Sequence, residues 1–256
     1  VTPVILDPET TKIIPTVSFK YNATITTNTS ANLASLITAA IGTWSDDNLE
    51  KHESVFRYSP FTTMIDEVDP AILSNITTIK MSKTFKPTVG QATAYTINFE
   101  NNLYHPHSGH AASTAGITAG GILSSSGFKY TGDSTNVWYY EDDGAGLIKA
   151  YYVSGSVKVY KAAAVGAVTY TTDGTTTGGT IVLTKEDIAS VEDYDGISQT
   201  YIRITVQPDS NDIVPVRNQI LAIDTTNMTV DGVVDTIASG ASDAGVNYST
   251  VSSYNP

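Results

Sequence analysis

The chain has 256 residues, enough to bury a large hydrophobic core, and its lack of cysteine removes disulfides, thiol nucleophiles and thiolate metal sites together. Fourteen Lys and Arg against 26 Asp and Glu give a formal charge of -12 with the basic residues scattered, which excludes a phosphate-gripping surface and predicts no nucleic-acid partner. Thr and Ser number 37 and 24, and Thr favours pleated, half-buried surfaces, so the composition leans towards β-structure.

From Thr16 to Thr26 apolar and polar residues alternate strictly, with Val17, Phe19, Tyr21, Ala23 and Ile25 on one face, which predicts a strand with one wet side. After the turn Asn28-Thr29-Ser30, the residues Leu33, Leu36, Ile37, Ala40, Ile41 and Trp44 fall at helical spacing. A helix of about four turns is expected there, capped by Ser30. A second, short helix with Phe61, Met64, Ile65 and Val68 starts behind Pro60, and alternation returns from Ile76 to Phe85 before Pro87. Strand, helix, helix, strand predicts a small α+β unit over 1–87.

Past Pro87 the helical signal fades. Strands are expected around Tyr95 to Phe99, Val137 to Tyr140, Leu147 to Val153, Ser156 to Lys161, Ala167 to Tyr170, Thr180 to Thr184 and Thr200 to Gln207, separated by Gly- and Asp-rich turns. The fold class expected is therefore α+β: the unit at 1–87 followed by a larger mainly-β domain at 88–256. That second domain includes a glycine- and threonine-rich insertion and a flexible C-terminal tail. Ser108 to Ser126 and Asp235 to Pro256 have the composition of loosely packed segments, or of segments that order against a neighbouring subunit.

No apolar run approaches the roughly 20 residues that span a bilayer, and the start of the chain lacks the basic and apolar stretches of a signal peptide, so membrane insertion is not expected. The chain begins at Val1 rather than Met, which points to a fragment or a processed product. Cofactor chemistry has little to build on. His105, His107 and His110 sit within six residues and offer a structural metal site. The carboxylates of Glu141-Asp142-Asp143, Glu192-Asp193-Asp195 and Asp209-Asp212 fall in turn sequences and match no calcium loop, so solvated turns are the expectation. With no Gly-x-Ser-x-Gly elbow and no phosphate loop, neither a catalytic residue nor a cofactor is assigned. Fifteen tyrosines, dense at Trp138, Tyr139, Tyr140, Tyr151 and Tyr152, raise an alternative function: a phage or cell-surface adhesin with a carbohydrate-binding β domain. Consecutive aromatics on a strand face opposite ways, so half-buried sheet packing is the plainer expectation.

One stretch is more specific: Asp46-Asp47-Asn48-Leu49-Glu50-Lys51, Phe56-Arg57-Tyr58-Ser59-Pro60-Phe61, Ile65-Asp66-Glu67-Val68-Asp69 and Ile72-Leu73-Ser74-Asn75-Ile76-Thr77-Thr78. A second runs from Ile202 to Pro208 and continues through Asp212-Ile213-Val214-Pro215-Val216-Arg217-Asn218-Gln219-Ile220-Leu221. In order and spacing these resemble the baseplate wedge proteins of T-even-like contractile-tailed phages, within the baseplate J-like family. The resemblance implies the C-terminal portion of a wedge subunit that pairs with copies of itself, as a homodimer, to close a ring around the tail tube. It also implies contacts with other wedge proteins, a place in the virion tail baseplate after assembly in the host cytoplasm, and no enzymatic activity. Phe56, Arg57, Tyr58, Asp66, Asp69, Asn75, Pro215, Arg217 and Asn218 are the fold-signature or interface candidates it marks. Arg57 is expected to pair with Asp66 or Asp69, and Phe56 and Phe61 to bury against the first helix.

Overall fold

A computed structural model describes residues 9–105, 121–172, 177–194, 196, 198–215 and 218–236. The first strand, β1 (Glu9–Tyr21), lies antiparallel to β2 (Ile72–Phe85), and between them run the helices α1 (Ser30–Asn48) and α2 (Tyr58–Asp66). Then follow β3 (Ala92–Asn98), β4 (Ser124–Ser125), β5 (Phe128–Tyr130), β6 (Asp133–Asp142), β7 (Leu147–Ser154), β8 (Val157–Tyr160), β9 (Gly166–Thr169), β10 (Thr180–Val191) and β11 (Ile202–Val206). The last strands, β12 (Gln219–Ile223) and β13 (Thr229–Val234), return to run parallel to the two halves of β1.

The expected α+β class is corrected. Strands make up 48% and helix 14% of the described residues, with two helices among them, so the fold is mostly β and includes a β-barrel. Two physical causes account for the difference. The strands β1 and β2 do not form a small sheet of their own: β11 adds to β2, and β12 and β13 add to β1, giving one thirteen-stranded sheet. Within that sheet, β6, β5, β10, β9 and β7 pair in a closed circuit, because β7 also joins β6. Closure removes edges that an open sheet would expose.

The first core lies between the sheet and α1. Alternation puts Ile13, Val17, Phe19 and Tyr21 of β1 on the helix side, where Leu33, Ile37 and Ile41 meet them at helical spacing. Leu36, assigned to the same stripe by periodicity, is instead exposed. The cap of α1 is Thr29 rather than Ser30: the Thr29 hydroxyl accepts the Asn32 amide at 3.2 Å, while Ser30 donates to the Gly232 carbonyl at 2.9 Å. That bond fixes β13 against the helix. A Cβ on Gly232 would stand 2.3 Å from the Phe19 ring, so this approach requires glycine.

A bulge decides what fills the barrel. The register of β10 against β3 shifts between Leu183 and Glu186, and Lys185 adopts a left-handed φ of 46°. The extra residue flips the alternation, so that Ile181 and Leu183 point inward before it and Glu186 and Ile188 after it. Glu186 is thereby buried in the barrel among Phe128, Tyr130 and Tyr140, and both tyrosine hydroxyls donate to its Oε2, Tyr140 at 3.0 Å. Asp142, expected in a solvated turn, is also buried. It accepts the Leu123 amide at 2.9 Å and the Tyr170 hydroxyl at 2.5 Å.

Candidate functional site

The candidate residues gather where α2 meets the segment before β12. Phe56 and Ile213 exchange backbone hydrogen bonds of 2.9 and 3.1 Å, a two-residue strip that ties the entry of α2 to the far end of the chain. The Phe56 side chain is fully buried and packs 5.7 Å from the Trp44 ring and 5.1 Å from Phe61, which is itself 5.2 Å from Trp44. These three aromatics lock α1 to α2 with tilted and edge-to-face contacts.

Arg57 does not pair with Asp66 or Asp69. Its Nη1 donates to Asp212 Oδ2 at 2.8 Å, and the other oxygen of Asp212 accepts the Tyr58 amide at 2.9 Å. Arg57 precedes α2 and gives no side-chain cap, so a carboxylate from a distant segment satisfies a free amide at the helix N-terminus. The Tyr58 amide first, then Arg57, holds the Asp212 carboxyl below the usual carboxylate range. A group with a depressed folded-state pKa contributes stability above its ordinary value of 3.8 and loses it as the pH falls through the folded value. Asp212→Ala is expected to destabilise by about 1 kcal/mol at neutral pH, the usual worth of an N-cap, with Arg57→Ala costing less because that pair is exposed. Urea denaturation at pH 7 and pH 3 checks both, the difference between wild type and Asp212→Ala shrinking at the lower pH.

The remaining candidates hold the same joint from other sides. Tyr58 donates its hydroxyl to the Thr77 carbonyl at 2.7 Å. Asn75 donates to the Thr62 carbonyl at 2.9 Å and to Asp66 Oδ1 at 2.8 Å, and accepts the Thr77 hydroxyl at 2.8 Å, clamping α2 to β2. Asp69 accepts the Ala71 amide at 2.8 Å and the Asn28 side chain at 3.2 Å. Pro215 is half-buried two residues past Ile213, and the Asn218 carbonyl accepts the Glu9 amide at 3.3 Å where β1 begins. Arg217 lies outside the described residues, as do His107 and His110. His105 stacks on Tyr170 at 4.7 Å, and among the described residues no group of three or more His, Asp or Glu could hold a metal ion.

Two contributors were not marked by the sequence. Asp212 was assigned to a turn, and Asn101 drew no notice. Asn101 acts as a mock strand residue: its amide donates to the Val214 carbonyl at 3.0 Å and its oxygen accepts the Val214 amide at 3.1 Å. The aromatic cluster of the barrel separates by face as alternation requires. Tyr139, Tyr151 and Tyr160 form one row across β6, β7 and β8, whereas Trp138 lies on the other face between Tyr130 and Tyr152. Lys158 lies over the Tyr151 ring at 4.3 Å, and both Lys158 and the Tyr160 hydroxyl donate to Glu141.

Among the described residues no helix is long and apolar enough to cross a membrane. Residues 12–84 match the family model of the baseplate structural protein gp6, C-terminal domain III. The matched span is the strand, two helices and strand described above, and the match supports a phage baseplate structural protein. The comparison with curated proteins finds no match.

Proposed function

We propose that the chain is a structural subunit of a phage tail baseplate wedge, of the baseplate J-like kind, that associates with copies of itself in the ring around the tail tube and contacts other wedge proteins. The observation that carries this reading is the match over 12–84, whose span coincides with the unit that the residues Phe56 to Asn75 hold together. In this reading the role is mechanical and non-enzymatic, residues 1–87 with the strands β12 and β13 that complete their sheet form the contact unit, the rest of the domain at 88–256 is the body behind it, and the particle assembles in the host cytoplasm. The joint suits such a role, since it connects α1, α2, β2 and the segment before β12 through an aromatic lock and side-chain clamps rather than through a flexible linker.

An adhesin reading rests on the row Tyr139, Tyr151 and Tyr160. It is the weaker of the two, because Lys158 already lies over Tyr151 and Glu141 engages the Tyr160 hydroxyl, leaving little free ring face for a sugar. Light scattering on the purified chain over a wide concentration range separates the readings. Mass rising from the monomer to twice that value or beyond is expected. A strict monomer that is retained on a glycan array, and released from it by Tyr151→Ala, would overturn the assembly reading.

A further inference from the structure

The sheet and the helical stretch of the matched segment carry opposite net charges. β1 and β2 carry Lys12, Lys20, Lys80 and Lys83 and one acid, Glu9, whereas the helical stretch between them carries Asp46, Asp47, Glu50, Glu53, Asp66, Glu67 and Asp69 against Lys51 and Arg57. Lys83 is buried and bonded to Glu9 at 3.0 Å and to the Asn98 carbonyl at 2.6 Å. The other three lysines are exposed on the side of the sheet turned away from the helices. Lys12 and Lys20 alternate with the core residues Ile13 and Phe19, and Lys80 stands opposite Ile14.

Among the described residues, the end of that face near Lys20 is also exposed. Ile76, 72% exposed, stands opposite Ser18, and Val233, 56% exposed, opposite Lys20, with Asp231 of β13 beside them. The helix layer is its complement: Asp46, Asp47, Glu50, Glu53, Asp66 and Glu67 are exposed, and Leu36 offers an apolar contact on α1. Face-to-face pairing of two copies would set lysine against lysine, whereas face-to-helix pairing sets opposite charges together.

Resting on the assembly reading above, we infer that this face of β13, β1 and β2 docks the acidic helix layer of a second copy, head to tail. Such a contact is heterologous, so a pair keeps one free face on one copy and one free helix layer on the other, and repetition closes a ring if the rotation between copies closes. The contact is steered by exposed charges and weakens as salt rises.

Sedimentation velocity on the full chain tests the docking with two charge reversals. Lys20→Glu with Lys80→Glu makes the sheet face acidic, and Asp46→Lys with Asp47→Lys makes the helix layer basic. Each pair alone is expected to weaken self-association by about tenfold or more, through like charges brought together. Mixing the two variants, or combining all four changes in one chain, restores it, because every face then meets its opposite. If the wild type associates and neither reversal weakens it, or the lysine reversal strengthens it, the docking face is overturned while the assembly reading stands. A wild type that remains monomeric at all concentrations and at low salt overturns both.

Discussion

Phe56→Ala is expected to destabilise the protein by about 3–5 kcal/mol, the range for removing a fully buried phenylalanine that neighbours cannot collapse onto. Against a typical domain stability of about 5–15 kcal/mol this is a large fraction. The ring touches Trp44 and Phe61, and its own backbone is paired with Ile213, so the side chain sits where three segments meet. The surroundings are poorly able to relax: Trp44 is fixed on α1, Phe61 on α2, and the strip to Ile213 holds the main chain. Urea denaturation gives the loss directly, and amide hydrogen exchange locates it. Exchange at Phe56 and Ile213 should speed up well before exchange in β6 and β7. A loss below about 1 kcal/mol would mean that the aromatic cluster does not organise the joint.

The second large effect concerns the carboxylate inside the barrel. Burial, the leading cause, raises the Glu186 carboxyl above its ordinary 4.5, and the hydrogen bonds from Tyr130 and Tyr140, together with the Lys161 charge, oppose that rise. The same burial raises both phenols, so they remain protonated donors across the working pH range. Tyr130→Phe combined with Tyr140→Phe strips the carboxylate of these two donors and is expected to cost about 3–5 kcal/mol at neutral pH, as when one side of a buried charged pair is removed. The sign with pH follows from the direction of the shift. A carboxyl whose folded-state pKa lies above 4.5 takes up a proton on folding in the window between the two values, so the stability it confers is lost as pH rises through the folded value. The double variant should therefore recover on acidification, when a neutral carboxyl is buried instead. Adding Glu186→Gln should recover much of the stability at pH 7. Melts at pH 5 and pH 8 check this, and a double variant with equal losses at both would show that packing rather than charge is responsible.

How much of this was legible in the sequence depends on the distance between partners. Helix spacing from Leu33 to Trp44 and the alternation of β2 placed these two elements near their observed bounds, because period is a local property, whereas the alternation read from Thr16 to Thr26 caught only the second half of β1 and ran past its end at Tyr21. Phe56 and Phe61 were expected to bury against the first helix, and Trp44 receives them. Arg57 was assigned an acid within twelve residues, whereas its partner Asp212 comes from the other end of the chain, which no spacing reveals. The inward turn of Glu186 was hidden by the single extra residue at Lys185, since unbroken alternation places Glu186 on the outer face. The class was misjudged on similar grounds. Two clear helices dominated the early pattern, while β12 and β13 are short and gain their order from pairing with β1.

That last pairing bears on how the molecule is made. β1 leaves the ribosome well before β12 and β13, so one edge of it has no partner until they too have left the exit tunnel, with Glu9 waiting for Gln219 and Tyr21 for Val234. In the interval β2 can zip onto the other edge, and the aromatic lock can gather the helices, but an open strand remains that invites pairing with another nascent chain. Pairing with β12 and β13 therefore closes this edge only once both of those strands have been made. A polypeptide that stops before β12 keeps an unpaired strand edge, which favours aggregation.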